Sequence, residues 1–308
     1  MKNNSVNNYP IFHQPWWLDS TVGAGNWGEC IVEKGGEIHA RLPYVLKKKY
    51  GFTIISQPPL TQYLGPWFKE VSGAKYSKSL SREKDLTEEL INQLPKYDYF
   101  IQNFSPSITN WQPWYWEGYK QTTNYTYRLD DLSNINELWE GMESKIRTDI
   151  RKAEKLGVSV QSTDELTKFW SVHQKTFSRQ GKCPPYTFDF LLGLDAELKQ
   201  RNFRRILLAL DEKGQVHAGA YLVWNDECIW YLMGGGDPEL RNSGATSLVL
   251  WEAIKIALDG QKVFDFEGSM IESVERFFRG FGAKQKPFSS ISKTNSRLLK
   301  LGSVLKRS

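Results

Sequence analysis

Between residues 206 and 233 the chain alternates apolar runs with short polar turns. Ile206, Leu207, Leu208, Ala209 and Leu210 form one run, interrupted by Asp211, Glu212, Lys213 and Gly214. Val216, Ala218, Ala220, Leu222 and Trp224 then alternate on one face, and a third run covers 228–233. This period-two pattern predicts a meander of three strands. The next pattern has helical spacing. Ala245, Leu248, Val249, Leu250, Trp251, Ala253, Ile254, Ile256, Ala257 and Leu258 leave only Glu252, Lys255 and Asp259 as a polar stripe. A helix apolar almost all round is a buried one, so its N-terminus is rigidly held. Residues 263–267 read as a strand and 271–279 as a helix. After Gly280, Phe281 and Gly282 comes a last strand near 288–292.

The first half repeats the plan. Residues 27–33, a turn at Lys34, Gly35, Gly36 and Glu37, then 38–46 and 52–56 predict strands; 82–94 predicts a charged amphipathic helix, and 97–104 and 125–129 further strands. The duplication is architectural, with no residue-level repeat. Between the halves, Ile135, Leu138, Trp139, Met142, Ile146, Ile150, Ala153 and Leu156 recur at three and four, predicting one helix over 135–156 that Ser133 or Asn134 caps and Gly157 ends. Arg147, Arg151 and Lys155 share a stripe on it, read either as a solvated face or as a phosphate-contacting edge. Ser162, Thr163, Asp164 and Glu165 read as a capping box opening a helix that reaches about Ser178.

The chemistry concentrates in 228–268. Arg241, Asn242, Ser243, Gly244 and Ala245 lie between the third strand of the meander and the buried helix. A glycine there lets backbone approach a ligand, and first-turn amides have no intrahelical partner, so the loop suits a pyrophosphate. Read blandly, it is a turn and a helix start.

Strand meander, Arg-x-x-Gly-x loop, helix and strand in this order resemble the core of the GNAT acyltransferases, in which the loop amides bind the pyrophosphate of coenzyme A. Leu250, Trp251, Glu252, Ala253, Ile254 and Lys255, then Phe264, Asp265, Phe266, Glu267 and Gly268, then 276–282 are similar to the C-terminal half of the Fem-type branch. That branch includes ligases that add amino acids to peptidoglycan precursors, and relatives that use acyl-CoA donors. The similarity spans about 135–290. It implies an α/β (α+β) fold of two tandem GNAT-like halves, each a mixed, mostly antiparallel sheet with flanking helices, divided as 1–130, without a donor loop, and 131–308, with one. It also implies a donor site formed by Arg241, Asn242, Ser243, Gly244, Ala245 and Thr246. Thr246 departs from the Gly or Ala usual at the last loop position, and a β-branched residue there narrows the approach.

Composition agrees with a folded enzyme. The chain has 308 residues, 40% hydrophobic and 14% aromatic, with net charge +5. Such a charge suits an anionic small molecule and falls short of the clustered basic surface of a DNA binder. Cys30, Cys183 and Cys228 are widely spaced and odd in number, so they read as reduced thiols, with neither a disulfide framework nor a metal site. Residues 1–10 are polar, and no run of about 18 apolar residues exists, so no membrane span and a cytoplasmic location are expected. A Gly-x-Ser-x-Gly elbow, a His-x-x-x-His pair and a Walker loop are all absent from the sequence.

Acyl transfer to an amine needs a base, an oxyanion donor and close placement of both substrates. Asp265 and Glu267 alternate on the predicted strand; Glu267, at its end, is the first candidate for base, and the alternative is pairing with Arg276 or Arg279. In the Fem-like pattern an Arg-x-Gly turn faces the substrate cleft, so Arg179 is set as an acceptor-binding candidate, the alternative being a helix-end charge. Among the rings of 111–119, Trp114 and Tyr115 are candidates for stacking on a ligand, whereas Trp111 and Trp116 read as plugs; Tyr231, on the third strand of the meander, joins the acceptor-binding set. His173 and His217 read as packed or exposed.

The expectation is a GNAT-like N-acyltransferase moving an acyl group, from acetyl-CoA or another acyl-CoA, onto a small-molecule amine. A nucleotide-linked amino sugar or cell-envelope precursor is the acceptor suggested by analogy. The alternatives are aminoacyl-tRNA-dependent transfer to a peptidoglycan precursor, with tRNA the weaker partner, and a non-catalytic glycan-binding protein.

Overall fold

The computed structural model describes residues 9–268 and 270–300; residues 1–8, part of the stretch read for a leader, lie outside them. In chain order the elements begin with α1 (Pro15–Val22), β1 (Trp27–Lys34), β2 (Glu37–Lys49), β3 (Phe52–Ser56), β4 (Trp67–Phe68), α2 (Tyr76–Gln93), β5 (Tyr99–Asn103), α3 (Gln112–Trp116) and β6 (Lys120–Leu129). They continue with α4 (Ile135–Gly141), α5 (Ser144–Lys155), β7 (Ser159–Thr163), α6 (Leu166–Ser178), α7 (Phe188–Gln200), β8 (Arg204–Leu210) and β9 (Val216–Trp224). The last are β10 (Cys228–Gly236), α8 (Ala245–Asp259), β11 (Val263–Asp265), α9 (Glu272–Arg279) and β12 (Lys284–Thr294).

The chain forms two compact units, Met1–Asn124 with Pro287–Ser308, and Tyr125–Lys286. In the first the strand order is β1-β2-β3-β5-β12, with β4 on β2; in the second it is β7-β8-β9-β10-β11-β6. Each is a mixed, mostly antiparallel sheet. The parallel pairs are β3 with β5 and β10 with β11, and each needs a crossover helix, α2 in one unit and α8 in the other. The expected strand near 288–292 forms as part of the longer β12, and it pairs with the first unit, Ser290 opposite Asn103. The strand beside β11 comes from β6, with Leu129 opposite Phe264 and Arg128 opposite Asp265. Each sheet is thus completed by a strand from the far end of the other half of the sequence.

In the second unit Val249, Leu250, Ala253, Ile254 and Ala257 of α8 are fully buried with Leu222, Phe264 and Phe266. In the first unit Leu86 and Leu90 of α2 pack with Phe100, Phe104 and Trp114. There the gap beyond the β3–β5 pairing is closed by the chain itself. Leu64 bridges Phe104 in parallel, its amide donates to the Asn103 carbonyl at 2.8 Å, and the Gln57 side chain accepts the Asn103 amide at 2.6 Å.

Two local expectations need correction. The helix predicted over 135–156 is two helices, because Met142 turns extended (ψ 149) and the Glu143 amide bonds the Gly280 carbonyl at 2.8 Å. Burying Met142 in the core overrides continuous helical spacing. The capping box at 162–165 is also not formed. Thr163 ends β7 and accepts the Glu165 amide through Oγ1 at 3.0 Å, while Asp164 pairs with Arg204 and Lys199.

Candidate active site

The site is built where β10 and β11 part. Their parallel pairing runs through Cys228 with Val263, Ile229 with Phe264 and Trp230 with Asp265; beyond it β10 runs on to Gly236 while the other strand ends. In the same stretch the β9–β10 register shifts between Tyr231 and Met233, so Leu232 drops out of the ladder. The glycines that follow let α6 lie against the strand. A Cβ on Gly235 would sit 2.6 Å from the His173 backbone nitrogen, and the Gly236 amide donates to Thr176 Oγ1 at 3.0 Å.

After β10 the chain makes a 3₁₀ turn, Arg241–Ser243, passes through Gly244 at φ 82 and enters α8. Among the described residues no backbone acceptor takes the amides of Gly244 and Thr246. The other early amides are used: Ala245 donates to Ser243 Oγ at 3.3 Å, and Ser247 and Leu248 donate to the Gly244 carbonyl at 3.0 and 3.1 Å. The donor set is therefore narrower than the full first turn of amides expected from the sequence. Two amides at the positive end of a buried helix, with exposed Arg241 and Asn242 beside them, still fit a diphosphate. The glycine serves another purpose as well. A Cβ at Gly244 would come 2.0 Å from the Asp149 carbonyl oxygen, so its absence is what lets α5 lie on the loop. The basic stripe on α5 is largely engaged. Arg147 holds the Trp139 and Glu140 carbonyls and the Glu140 carboxylate, and Arg151 lies 5.2 Å from the Trp139 ring centre.

After α8 the chain forms β11, which stops at Asp265. Glu267, expected on the strand and on one face with Asp265, lies beyond it at φ 59, followed by Gly268, also at φ 59. Gly268 is required there, since a Cβ would meet the Tyr125 carbonyl oxygen at 2.3 Å. Asp265 is 1% exposed, accepts from Thr126 Oγ1 at 2.5 Å and from the Glu267 amide at 2.8 Å, and lies 3.7 Å from Arg128 Nε. Burial pushes its carboxyl up to about 6, against the pull of Thr126 and Arg128. The Glu267 carboxyl is raised well above the usual range by burial and then by the neighbouring Asp265. Arg279, the suggested alternative partner of Glu267, instead engages Glu275 and Glu143. A buried carboxyl with raised affinity for a proton, just beyond a strand end, is suited to take up and return a proton.

The acceptor candidates separate. Arg179 is the exposed C-terminal cap of α6. Tyr231 is half-buried, edge-on to Phe278, with its hydroxyl against Gly234. Trp114 is 0% exposed, packed between Phe100, Phe104 and Tyr119, which leaves no face for a ligand. Tyr115 and Trp116 are the exposed rings of that helix. His173, set aside in the sequence, is buried and linked to both Gly234 and Tyr186. Only the approach of α6 to β10 brings these groups together, and periodicity carries no sign of it.

An Acetyltransferase (GNAT) domain model matches residues 141–278, and the FemAB family model matches 78–182. No curated protein matches the chain in sequence. Among solved structures it is similar to FemX, at 14% identity and TM-score 0.65, with 92% of each chain covered. It is also similar to a tandem GNAT protein from the clavulanic acid biosynthesis pathway, at 10% identity and TM-score 0.53, covering 88% of this chain and 84% of that one. L-PGS from Bacillus licheniformis gives 12% identity and TM-score 0.53, covering 92% and 89%. The GNAT domain model spans the meander, the loop, the buried crossover helix and the parallel strand, and the FemAB model spans 78–182; the chain is an acyltransferase of the GNAT/FemAB type.

Proposed function

We propose that the second unit transfers an acyl group from an acyl-CoA, acetyl-CoA first among them, to a primary amine, with a nucleotide-linked amino sugar or another cell-envelope precursor as the acceptor class. What supports this reading is the loop between β10 and α8, where the Gly244 and Thr246 amides have no backbone acceptor among the described residues, together with the buried Glu267 carboxyl just beyond the end of β11. When bound, the donor supplies an acyl carbon activated by a thiol leaving group. The amides of Gly244 and Thr246, with Arg241, Asn242 and Ser243 around them, hold the diphosphate, Glu267 moves the proton, and Asp265 fixes the backbone that carries Glu267. Arg179 and Tyr231 are assigned to the acceptor side. A cytoplasmic setting belongs to this reading and agrees with three free cysteines among the described residues. Among those residues no helix is long and apolar enough to cross a membrane.

Aminoacyl-tRNA as donor is the second reading. It is supported by the FemAB match over 78–182 and by the likeness to FemX. The two donors require different anion sites, which makes titration decisive. Calorimetry of the full chain against CoA, acetyl-CoA, an aminoacyl-tRNA and a panel of UDP-sugars should give saturable CoA binding that acetyl-CoA reproduces. Binding of the charged tRNA with no heat from CoA would reverse the order of the two readings.

A further inference from the structure

His173 lies on α6 with its ring buried against β10. Its Nδ1 is 2.7 Å from the Gly234 carbonyl oxygen, and its Nε2 is 2.9 Å from the Tyr186 hydroxyl. A carbonyl oxygen only accepts, so Nδ1 carries the proton. Burial keeps the imidazole neutral by lowering its affinity for a second proton. Nε2 is therefore an acceptor, and the Tyr186 hydroxyl donates to it. The single proton of the tyrosine is committed, and its oxygen offers only lone pairs to any other group. Gly234 sits on the reach of β10 that runs on after β11 stops, and burial, followed by the nearby Glu267 carboxyl, raises the affinity of the Tyr186 hydroxyl for its proton.

We propose that Tyr186 seats the nucleophilic amine of the acceptor, its hydroxyl oxygen accepting an N–H, and that His173 is the positioning residue that turns the phenolic proton away from the cleft. This rests on the acyl-transfer reading of the site and specifies the chemistry presented there: a nitrogen bearing hydrogen, not a carboxylate or phosphate oxygen. In the transfer the amine lone pair forms the bond to the acyl carbon, and the carbonyl pair moves onto oxygen. Glu267 takes the proton that nitrogen sheds. When the carbonyl reforms, the bond to the leaving group breaks with its electron pair, and Glu267 returns the proton to that group. Tyr186 ends with the proton it began with.

The full chain carrying ¹⁵N-histidine tests this by NMR. His173 should show a protonated Nδ1 and an unprotonated, hydrogen-bonded Nε2, and Tyr186→Phe should move the Nε2 signal. Titration with glucosamine or glycinamide should shift Nε2 saturably in the native chain. Affinity for the amine should fall about tenfold or more in Tyr186→Phe. His173→Phe should lose the same affinity, and His173→Gln, whose side-chain oxygen can accept the tyrosine proton, should recover it to within a few-fold. A proton on Nε2, no shift from either amine, or unchanged amine affinity in folded Tyr186→Phe would overturn the assignment. Calorimetry with CoA on the same sample reports on the donor separately, so loss of CoA binding with the amine effects intact would remove the acyl-CoA reading and keep the seat.

Discussion

Asp265 holds the backbone of Glu267: its Oδ1 accepts the Glu267 amide at 2.8 Å, and Glu267 adopts φ 59. A left-handed conformation costs an L-residue about 1–2 kcal/mol, so it persists only where the surroundings enforce it. Here the enforcement is a buried carboxylate two residues back, itself fixed by Thr126. The arrangement takes the Glu267 backbone out of the strand.

Glu267→Gln keeps the shape and removes the ionisable group, so turnover with the true acceptor should fall about 10²-fold or more with donor affinity nearly unchanged. Glu267→Gly should lose turnover equally. It also relieves the left-handed strain and removes a desolvated carboxyl, against about 0.5–1 kcal/mol of added unfolded-chain entropy, so stability should match or exceed that of the parent. Urea unfolding together with steady-state rates checks both halves, and near-normal turnover in Glu267→Gln would pass the proton role to water.

The Asp265 carboxyl, raised to about 6 in the folded chain from an ordinary 3.8, gives a defined pH signature. Below the lower value both folded and unfolded states are protonated, and its contribution to stability is fully present. As pH rises, the unfolded state ionises first, and the contribution is lost until the folded state follows near the upper value. Asp265→Asn removes this titration, so the stability of the native chain relative to the variant should decline from about pH 4 to about pH 6, by roughly 3 kcal/mol. Parallel stability curves over that window would refute the raised affinity.

Trp114 and Tyr115 are neighbours in sequence with opposite fates, and their substitutions should diverge. Trp114→Ala opens a cavity among Phe100, Phe104 and Tyr119 and should cost about 3–5 kcal/mol. Tyr115 is 62% exposed, so Tyr115→Ala should change stability by no more than about 0.5 kcal/mol. Chemical denaturation of the pair decides it, and equal effects would contradict the packing.

What the sequence disclosed and what it hid follow from the range of the interactions. The meander of β8, β9 and β10 and the buried helix α8 are written in local periodicity, because one face or the whole surface of each is apolar. The completion of each sheet by β12 and by β6 is a long-range pairing, to which alternation within a strand is blind. Glu267 has no intrinsic tendency to a left-handed backbone. Asp265, the Tyr125–Thr126 backbone packed against Gly268, and the end of the ladder impose it, so the residue read as the last of a strand instead. His173 looked like a packed ring because its neighbours at helical spacing are apolar. Its partners, Gly234 and Tyr186, are 61 and 13 residues away.

The donor loop needs a test that does not disturb α5. Gly244 is a poor choice, since even an alanine Cβ would meet the Asp149 carbonyl at 2.0 Å and the backbone is at φ 82. Gly244→Ala should therefore cost stability and donor binding together, and their joint loss would say nothing specific about a phosphate. Thr246 is the better position. Among the described residues its amide has no backbone acceptor, and it lies in the first turn of α8, where proline's fixed φ and missing N–H are tolerated. Thr246→Pro deletes one of the two amides assigned to the diphosphate and breaks no internal hydrogen bond. Folding stability should stay within about 1 kcal/mol of the parent, and CoA affinity should fall about tenfold or more, the loss expected for a hydrogen bond to a charged group. Thr246→Ala keeps the amide and should bind CoA at least as well as the parent, because it also removes the β-branch. Calorimetry on the three chains separates the outcomes, and a folded Thr246→Pro variant with unaltered CoA affinity would move the diphosphate away from this helix end.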